Sequence, residues 1–562
     1  MLRGIPLTNH HNETYPARLR SRHNMSRPLL ICALIGFFIF VLFQIVMPIW
    51  VSEDDAFVTP ITKEEALNRA LQIYTGENIT SARSHVEPIV SAVIYDTNSL
   101  LAGYVNKEQL QKSYSQWEEL APYDVYRVLI QRGNLHDLSY TIMDIHMTTG
   151  KLVSYQTRTS DISTASAFDS ESEMLARSDQ AIRSIGYTLS QVNRLPVTEQ
   201  NPYVVNYQVP AAIVGDAYLT LSVTWNGNQL ASVKPVWNIP DTYTTQVGKQ
   251  ISSAESVQLY AYEIMSIIMG IAAIICAIVY RRRIHFRSKT ILVASVISCL
   301  ISILHIWNFM PASVMLKKLV PVSVGDIRNG LFLSTFITII QGGITLYLAI
   351  AAGGALWKRN AYFHVMPTWS DPHFGTGLVQ AFWKGLCWAG VLLGIQTFIF
   401  AGLELSIGSW STTDSSSAPV NLNYIYAYPL LAWVAAISEE GFFRLFGVGL
   451  LRRWIPNVWI AALIPTFVWA AGHVTYPIYP FYSRPIELMI MGLIFVWIMI
   501  KHDFWTAVIT HLMLDTILMV ISLLLERSLP GIIFGILYLL LPAIAVYTIS
   551  YIHRNRQQTI ST

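Results

Sequence analysis

The sequence predicts a polytopic α-helical membrane protein of about ten transmembrane helices with an inserted extracytoplasmic α+β domain. Of its 562 residues 53% are hydrophobic and only 13% are charged, and the mean hydropathy is +0.41. Soluble chains rarely contain so few charges. The charges are also segregated, because long apolar runs have none while residues 51–256 carry them at an ordinary density. The net charge of +3 and the lack of a basic aromatic stripe predict no nucleic-acid partner.

A membrane span needs about 20 mostly apolar residues. The first such run, residues 29–50, follows a basic leader at residues 1–28. It is longer than the apolar region of a signal peptide and lacks a small-x-small cleavage site, so it predicts a signal anchor. The remaining predicted spans are 258–280, 289–309, 331–356, 378–403, 424–450, 457–475, 486–500, 504–525 and 531–552.

Basic residues in the short loops predict the orientation of these spans. Alternating spans put most Lys and Arg clusters on one side, which the positive-inside rule identifies as cytoplasmic. The predicted protein is thus a multi-pass cell-membrane protein with both termini cytoplasmic, including the tail 553–562. Residues 51–256 are then extracytoplasmic. Transmembrane helices with linkers occupy 257–377, and a membrane-embedded core occupies 378–552.

The extracytoplasmic segment contains two related halves in this interpretation. Helix-like stretches at 62–74 and 170–185 each lead to alternating strands and a glycine-containing hairpin turn. The turns, which we expect to be exposed, are Thr149–Lys151 and Asn226–Asn228. This pattern resembles the PepSY domains found beside bacterial proteases, which implies a regulatory or substrate-handling module. A generic α+β spacer is the alternative.

Six polar residues stand out because they interrupt otherwise apolar spans. Each charge near the bilayer centre costs roughly 2.5–3.5 kcal/mol on insertion scales, so we expect these side chains to converge inside the bundle. They are Glu439, Glu440 and Arg444 in one span, His473 at the end of the next, and His511 and Asp515 in a third.

Helical spacing predicts how these residues divide their roles. Glu440 and Arg444 are four residues apart and share a helical face, which favours an internal ion pair. Glu439 is turned about 100° away and is expected to face a cavity. Arg452 follows about 20 Å further along a helix that runs inward. We therefore expect the cavity in the inner half of the membrane, open to the cytoplasm.

The ordered set Glu-Glu-x-x-x-Arg, Trp-x-x-x-His and His-x-x-x-Asp, on three apolar helices, resembles the CPBP family of intramembrane proteases. That family includes the CAAX prenyl endopeptidases and the Abi-type bacteriocin proteins, and the resemblance covers residues 378–525. Trp469 stands where Phe is usual, and Asp515 stands where many members have Asn. The substrate implied is a membrane-embedded or membrane-anchored protein or peptide in the lipid bilayer.

The resemblance implies a role for each polar residue. Glu439 would be the general base that activates water, assisted by His473. His511 and Asp515 would bind the carbonyl oxygen or the oxyanion. Glu440 and Arg444 would form the structural ion pair.

Three alternatives remain open at this stage. Zinc or another divalent metal could bind Glu439, His473 and His511, since the family is described both as a metalloprotease and as a metal-independent glutamate protease. A catalytically inactive scaffold, or a bacteriocin-immunity protein, would keep the fold and bind a membrane partner. A transporter with a proton relay is a third class, but the sequence shows no inverted repeat that would favour it.

Overall fold

The structure is a computed structural model of the chain. It describes residues 26–47, 60–75, 90–132, 139–158, 168–284, 286, 288–317, 324–359, 365–525 and 528–561. Most of the predicted leader, and the last residues of the predicted signal anchor, lie outside these ranges.

The helices account for most of the described chain. They are α1 Arg27–Val46, α2 Lys63–Thr75, α3 Ser99–Lys107, α4 Gln111–Ser115, α5 Glu171–Ser184, α6 Asp241–Val279, α7 Lys289–Lys317, α8 at 324–359, α9 Phe374–Ile407, α10 at 431–451, α11 Val458–Ala471, α12 Ser483–Lys501, α13 Phe504–Leu525 and α14 Leu529–Ser561. Several contain π-helical turns, including Glu440–Val448 in α10.

Eight of the described helices are long and apolar enough to cross a membrane, namely α1, α6 to α9 and α12 to α14. All ten predicted runs fall on helices. Two of these helices, α10 and α11, are not among the eight. Helix α10 carries three charged residues, and α11 has only 14 residues. The chain is a polytopic helical membrane protein, as predicted.

Local sequence explains where these helices begin and end. The Asn457 side chain accepts hydrogen bonds from the backbone N–H groups of Trp459 and Ile460 at 2.9 and 3.3 Å, which caps the start of α11. Helix α9 ends at Gly408, whose φ of 62° is left-handed and favours glycine. The start of α10 is delayed to Leu431, because Ile425–Leu430 is a 3₁₀ turn that contains Pro429.

The first helix docks on the bundle through small residues. A Cβ added at Gly394 of α9 would lie 2.5 Å from the Cα of Gly36, and one added at Gly390 would lie 2.9 Å from the carbonyl oxygen of Ala33. The backbones of α1 and α9 therefore touch directly. Close approach through small side chains is a common way for membrane helices to associate.

The second part of the fold is an eight-stranded antiparallel sheet, here called the sheet domain (residues 60–238). Its strands are β1 Val90–Thr97, β2 Asp124–Arg132, β3 Ser139–His146, β4 Leu152–Arg158, β5 Asn193–Arg194, β6 Val204–Val214, β7 Ala217–Asn226 and β8 Gln229–Asn238. The order across the sheet is β1-β2-β3-β4-β8-β7-β6-β5. Side chains alternate along β7, with Leu219, Leu221 and Val223 buried in the core.

Each predicted half contributes a helix and strands, but the halves form one sheet. Strands β4 and β8 join them through the pairs Tyr155–Val233 and Gln156–Ser232. Gly150 and Gly227 both have positive φ, as the hairpin turns require. Thr149 and Lys151 are exposed, but the Asn226–Asn228 turn is half-buried, so the second turn differs from the prediction. Strand β1 and helices α3 and α4 were not predicted.

The predicted boundary at residue 256 falls inside a continuous helix. Helix α6 runs for 39 residues, and Tyr243 and Val247 near its start belong to the core of the sheet domain. The later part of the same helix is apolar and packs in the bundle. One rigid element thus links the sheet domain to the membrane helices.

The loop after α9 binds the sheet domain closely. Asn421 exchanges two hydrogen bonds with the backbone of Tyr95, at 2.7 and 2.8 Å. Thr412 donates its hydroxyl hydrogen to the carbonyl of Ser99 at 2.8 Å. Within this loop, β9 (Trp410–Ser411) pairs with β10 (Ile478–Tyr479), which follows α11. This two-stranded ribbon lies at the end of the bundle nearest the sheet domain.

The contact between α1 and α9 leads to a prediction about the stability of the protein. Gly394→Leu should lower the melting temperature of the detergent-purified protein, because the two backbones leave no room for a side chain; overpacking of this kind costs about 1–3 kcal/mol. Gly402→Leu on the same helix is the matched control, since nothing lies within 4 Å of a Cβ there. Equal melting temperatures for the two variants would contradict the direct backbone contact.

Candidate active site

The two adjacent glutamates of α10 have different surroundings. The Glu440 side chain is 0% exposed and that of Arg444 is 1% exposed, whereas Glu439 is 23% exposed. A difference of this size between neighbours arises because consecutive residues point to different sides of a helix. Glu439 is therefore partly exposed, whereas Glu440 is fully buried within the bundle.

Glu440 and Arg444 form the predicted ion pair, with 3.3 Å between Oε1 and Nη1. The pair is not ideal, because the described residues offer no hydrogen-bond partner to the guanidinium nitrogens. The guanidinium instead lies over the indole of Trp469, with Cζ 3.7 Å from the ring centroid. A desolvated cation on an aromatic face gains about 2 kcal/mol, which partly replaces the missing hydrogen bonds.

His511 of α13 joins the buried pair to the exposed carboxylates. Its Nδ1 is 2.9 Å from Glu440 Oε1, and its Nε2 is 3.4 Å from Asp515 Oδ2 and 3.9 Å from Glu439 Oε2. A carboxylate paired with a guanidinium only accepts hydrogen bonds, so Nδ1 is the donor to Glu440. The ring also stacks on Phe495, with centroids 4.8 Å apart. These contacts fix its orientation, and the Glu440–His511 bond was not predicted.

Trp469 connects Glu439 to His473. Its indole N–H donates to Glu439 Oε2, and its backbone carbonyl is 3.0 Å from His473 Nδ1. A carbonyl can only accept, so His473 donates from Nδ1 and its Nε2 is left for another partner. Phe, the residue usual in the family's motif, could not donate to the glutamate. Glu439 and Asp515 are both near enough to act electrostatically on His473.

The six site residues lie at different positions along their helices, and the expected cavity in the inner half of the membrane, open to the cytoplasm, stays a prediction. Helix α11 ends just before His473, and the residues that follow form β10 of the ribbon. Because α10 starts at Leu431, Glu439 is about 12 Å from the domain-side end of its helix and about 18 Å from the other end. Asp515 lies near the middle of α13.

A second polar cluster borders the site and was missed by sequence reasoning. Glu487 of α12 is fully buried and is bonded to Arg484 at 2.8 Å and to Gln396 of α9 at 3.0 Å. Arg484 lies 5.4 Å from the ring centroid of Tyr476, and it also acts electrostatically on His473. The available signal was a charged pair three residues apart at the start of an apolar run. Arg484 and Glu487 stand near a predicted span end, where such charges are common.

A metal site is not evident in the donor set. Within the described ranges, no group of three or more His, Cys, Asp or Glu side chains is arranged to hold a metal ion. His511 has Nδ1 committed to Glu440, and His473 has Nδ1 committed to a carbonyl. Donation from Nδ1 leaves Nε2 of both histidines available, which is also how metal-bound histidines are commonly oriented, so the zinc alternative stays a prediction.

Comparison with known families agrees with this class of site. Residues 421–517 match the family described as type II CAAX prenyl endopeptidase Rce1-like. The match contains all six predicted site residues. No curated protein and no solved structure matches the chain. This match supports the resemblance to CPBP intramembrane proteases that the motifs indicated.

The adjacent glutamates should respond differently to the same substitution. Glu440→Gln leaves the buried guanidinium without its counter-charge, a defect of roughly 3–5 kcal/mol, so the yield of folded protein and the melting temperature should both fall. Glu439→Gln, the matched control, should leave both near wild type because Glu439 is partly exposed. Loss of folding in Glu439→Gln alone would show that the two roles are reversed.

Proposed function

We propose that the protein is an intramembrane endopeptidase that hydrolyses a peptide bond of a membrane-embedded or membrane-anchored protein or peptide. The observation that carries this proposal is the environment of Glu439. This partly exposed carboxylate is held by Trp469 and faces His511 Nε2, with Asp515 beside it. The family match over residues 421–517 supports the same class of reaction.

Glu439 is proposed as the general base. Trp469 occupies Oε2, which leaves Oε1 to bind a water molecule and accept its proton as the water attacks the peptide carbonyl. His473 assists from the lone pair of Nε2 by accepting a hydrogen bond from that water, and Glu439 then passes the proton it has accepted to the departing amine. Its Nδ1 bond to the Trp469 carbonyl fixes the ring in the orientation this requires.

His511 and Asp515 are proposed to stabilise the oxyanion. With Nδ1 donating to Glu440, His511 can donate from Nε2 only as a doubly protonated ring, whose charge the surrounding carboxylates would balance. Asp515 can donate only when protonated. A positive donor in a water-poor site is worth more to a developing oxyanion than the same donor in water.

We infer that the scissile bond reaches the site from the side of the sheet domain. His473 lies five residues before the first residue of β10, and the ribbon partner Trp410 stacks on Tyr479 with centroids 4.5 Å apart. Both aromatic rings pack against the core of the sheet domain. A substrate segment at this end of the bundle passes next to the sheet domain before it reaches Glu439.

Loss of the general base gives the decisive test. Glu439→Gln should reduce cleavage of a membrane-peptide library by roughly 10²–10⁴-fold at unchanged melting temperature, because Gln cannot accept the proton. The matched control is Glu404→Gln, the same change at an exposed position of α9. Cleavage products should be identified by mass spectrometry. Wild-type rates in Glu439→Gln would disprove the role of Glu439, and a wild-type protein that cleaves nothing would favour the inactive scaffold or immunity protein.

Trp469→Phe tests how Glu439 is held. The substitution keeps an aromatic face over Arg444 but removes the indole donor, and a hydrogen bond to a charged group contributes about 1.5–3 kcal/mol. We expect kcat to fall by roughly 10-fold or more while KM changes little, and the melting temperature to fall because this hydrogen bond is lost. Trp369→Phe, outside the site, is the control. An unchanged kcat would show that the indole donor has no part in catalysis.

A further inference from the structure

A cavity of about 550 Å³ lies at the end of the bundle opposite the sheet domain. Its wall is built from the turn after α6, the start of α7, the end of α8 and the last part of α14. None of the six proposed site residues lines it. Its volume falls in the range of small-molecule sites.

Every charged residue among the described lining residues of this cavity is basic. Arg283, Lys289, Lys358 and Arg556 line it, and no Asp or Glu does. Asp371 is near in sequence to the lining residue Thr368, but its Oδ2 accepts the Thr368 backbone N–H at 2.5 Å and the hydroxyl at 3.3 Å. The start of α7 adds the partial positive charge of a helix N-terminus.

An apolar wall adjoins these cations. It is formed by Ile284, Ile291, Ala351, Ala355 and Met366. A soluble anion would gain nothing from this surface, whereas an amphiphile would place its charged group on the cations and its chain against the wall. The positive-inside tendency does not explain the arrangement, because it requires basic residues in the loop but not around a cavity.

We propose that this cavity binds the headgroup of an anionic phospholipid. The phosphate is held by the four basic side chains, and the first part of an acyl chain lies along the aliphatic wall. Basic pockets between transmembrane helices have the chemistry that anionic headgroups require. The lipid would connect α6, α7, α8 and α14 at their shared end. This proposal is independent of proteolysis.

The test is a lipid titration of the full-length protein in detergent. Short-chain phosphatidylglycerol, short-chain phosphatidylcholine and sodium phosphate are added separately, and the melting temperature is followed. Phosphatidylglycerol alone should stabilise the wild type. Arg283→Gln/Lys358→Gln should need a roughly 10-fold or higher concentration for half of the shift, since each basic residue near a lipid surface contributes about 1 kcal/mol.

Arg281→Gln/Arg282→Gln is the matched control, because it removes the same amount of charge, here from two neighbours of Arg283 that do not line the cavity. It should respond to phosphatidylglycerol as the wild type does. An equal loss of response in this control would show that diffuse surface charge, and not the cavity, attracts the lipid. An equal response to sodium phosphate, or to phosphatidylcholine, would also overturn the proposal.

Ala355→Phe provides a second variant should the charge variant fold poorly. It fills the apolar wall without altering any charge, so native mass spectrometry should detect fewer copies of retained phosphatidylglycerol than in the wild type. Unchanged retention in this variant would exclude an acyl chain at the wall.

Discussion

The buried carboxylate of Glu440 is the constraint on which the membrane core depends. One oxygen, Oε1, lies 3.3 Å from the Arg444 guanidinium and 2.9 Å from His511 Nδ1. An isolated charge at this depth costs several kcal/mol, so the three groups stabilise the fold only when they are held together. Because His511 is on α13 and the guanidinium lies on the Trp469 ring of α11, the interaction sets how α10, α11 and α13 pack.

Trp469 transmits this constraint to the proposed catalytic groups. Its ring face covers Arg444, its indole N–H donates to Glu439, and its carbonyl accepts from His473. Small residues permit this close packing, since a Cβ at Gly492 would lie 2.9 Å from Arg444 Nη2 and 3.0 Å from the Trp469 ring. The structural ion pair and the proposed water-activating glutamate are therefore held by one side chain, although they lie on different sides of α10.

The sheet domain is joined to the same region by the ribbon and by α6. Thr475, two residues after His473, donates to Gln258 of α6 at 2.8 Å, and the backbone N–H of Phe481 donates to Gln250 at 2.9 Å. Movement of the sheet domain would displace both the ribbon and α6. A displacement of this kind would be transmitted to the segment that carries His473. This connection is the physical basis on which a regulatory or substrate-handling role would rest.

The sequence by itself determined the membrane class, the helical runs and the identity of the polar residues that converge. Apolar run length and the four-residue spacing of Glu440 and Arg444 are local properties, so a linear pattern records them. Tertiary structure alone decided the rest: the single sheet, and the contacts of His511 and Trp469. The contact of His511 with Glu440 joins residues 71 positions apart in the chain, and the contact of Trp469 with Glu439 joins residues 30 positions apart. Such contacts depend on how helices end and pack, and no periodicity in the sequence specifies that.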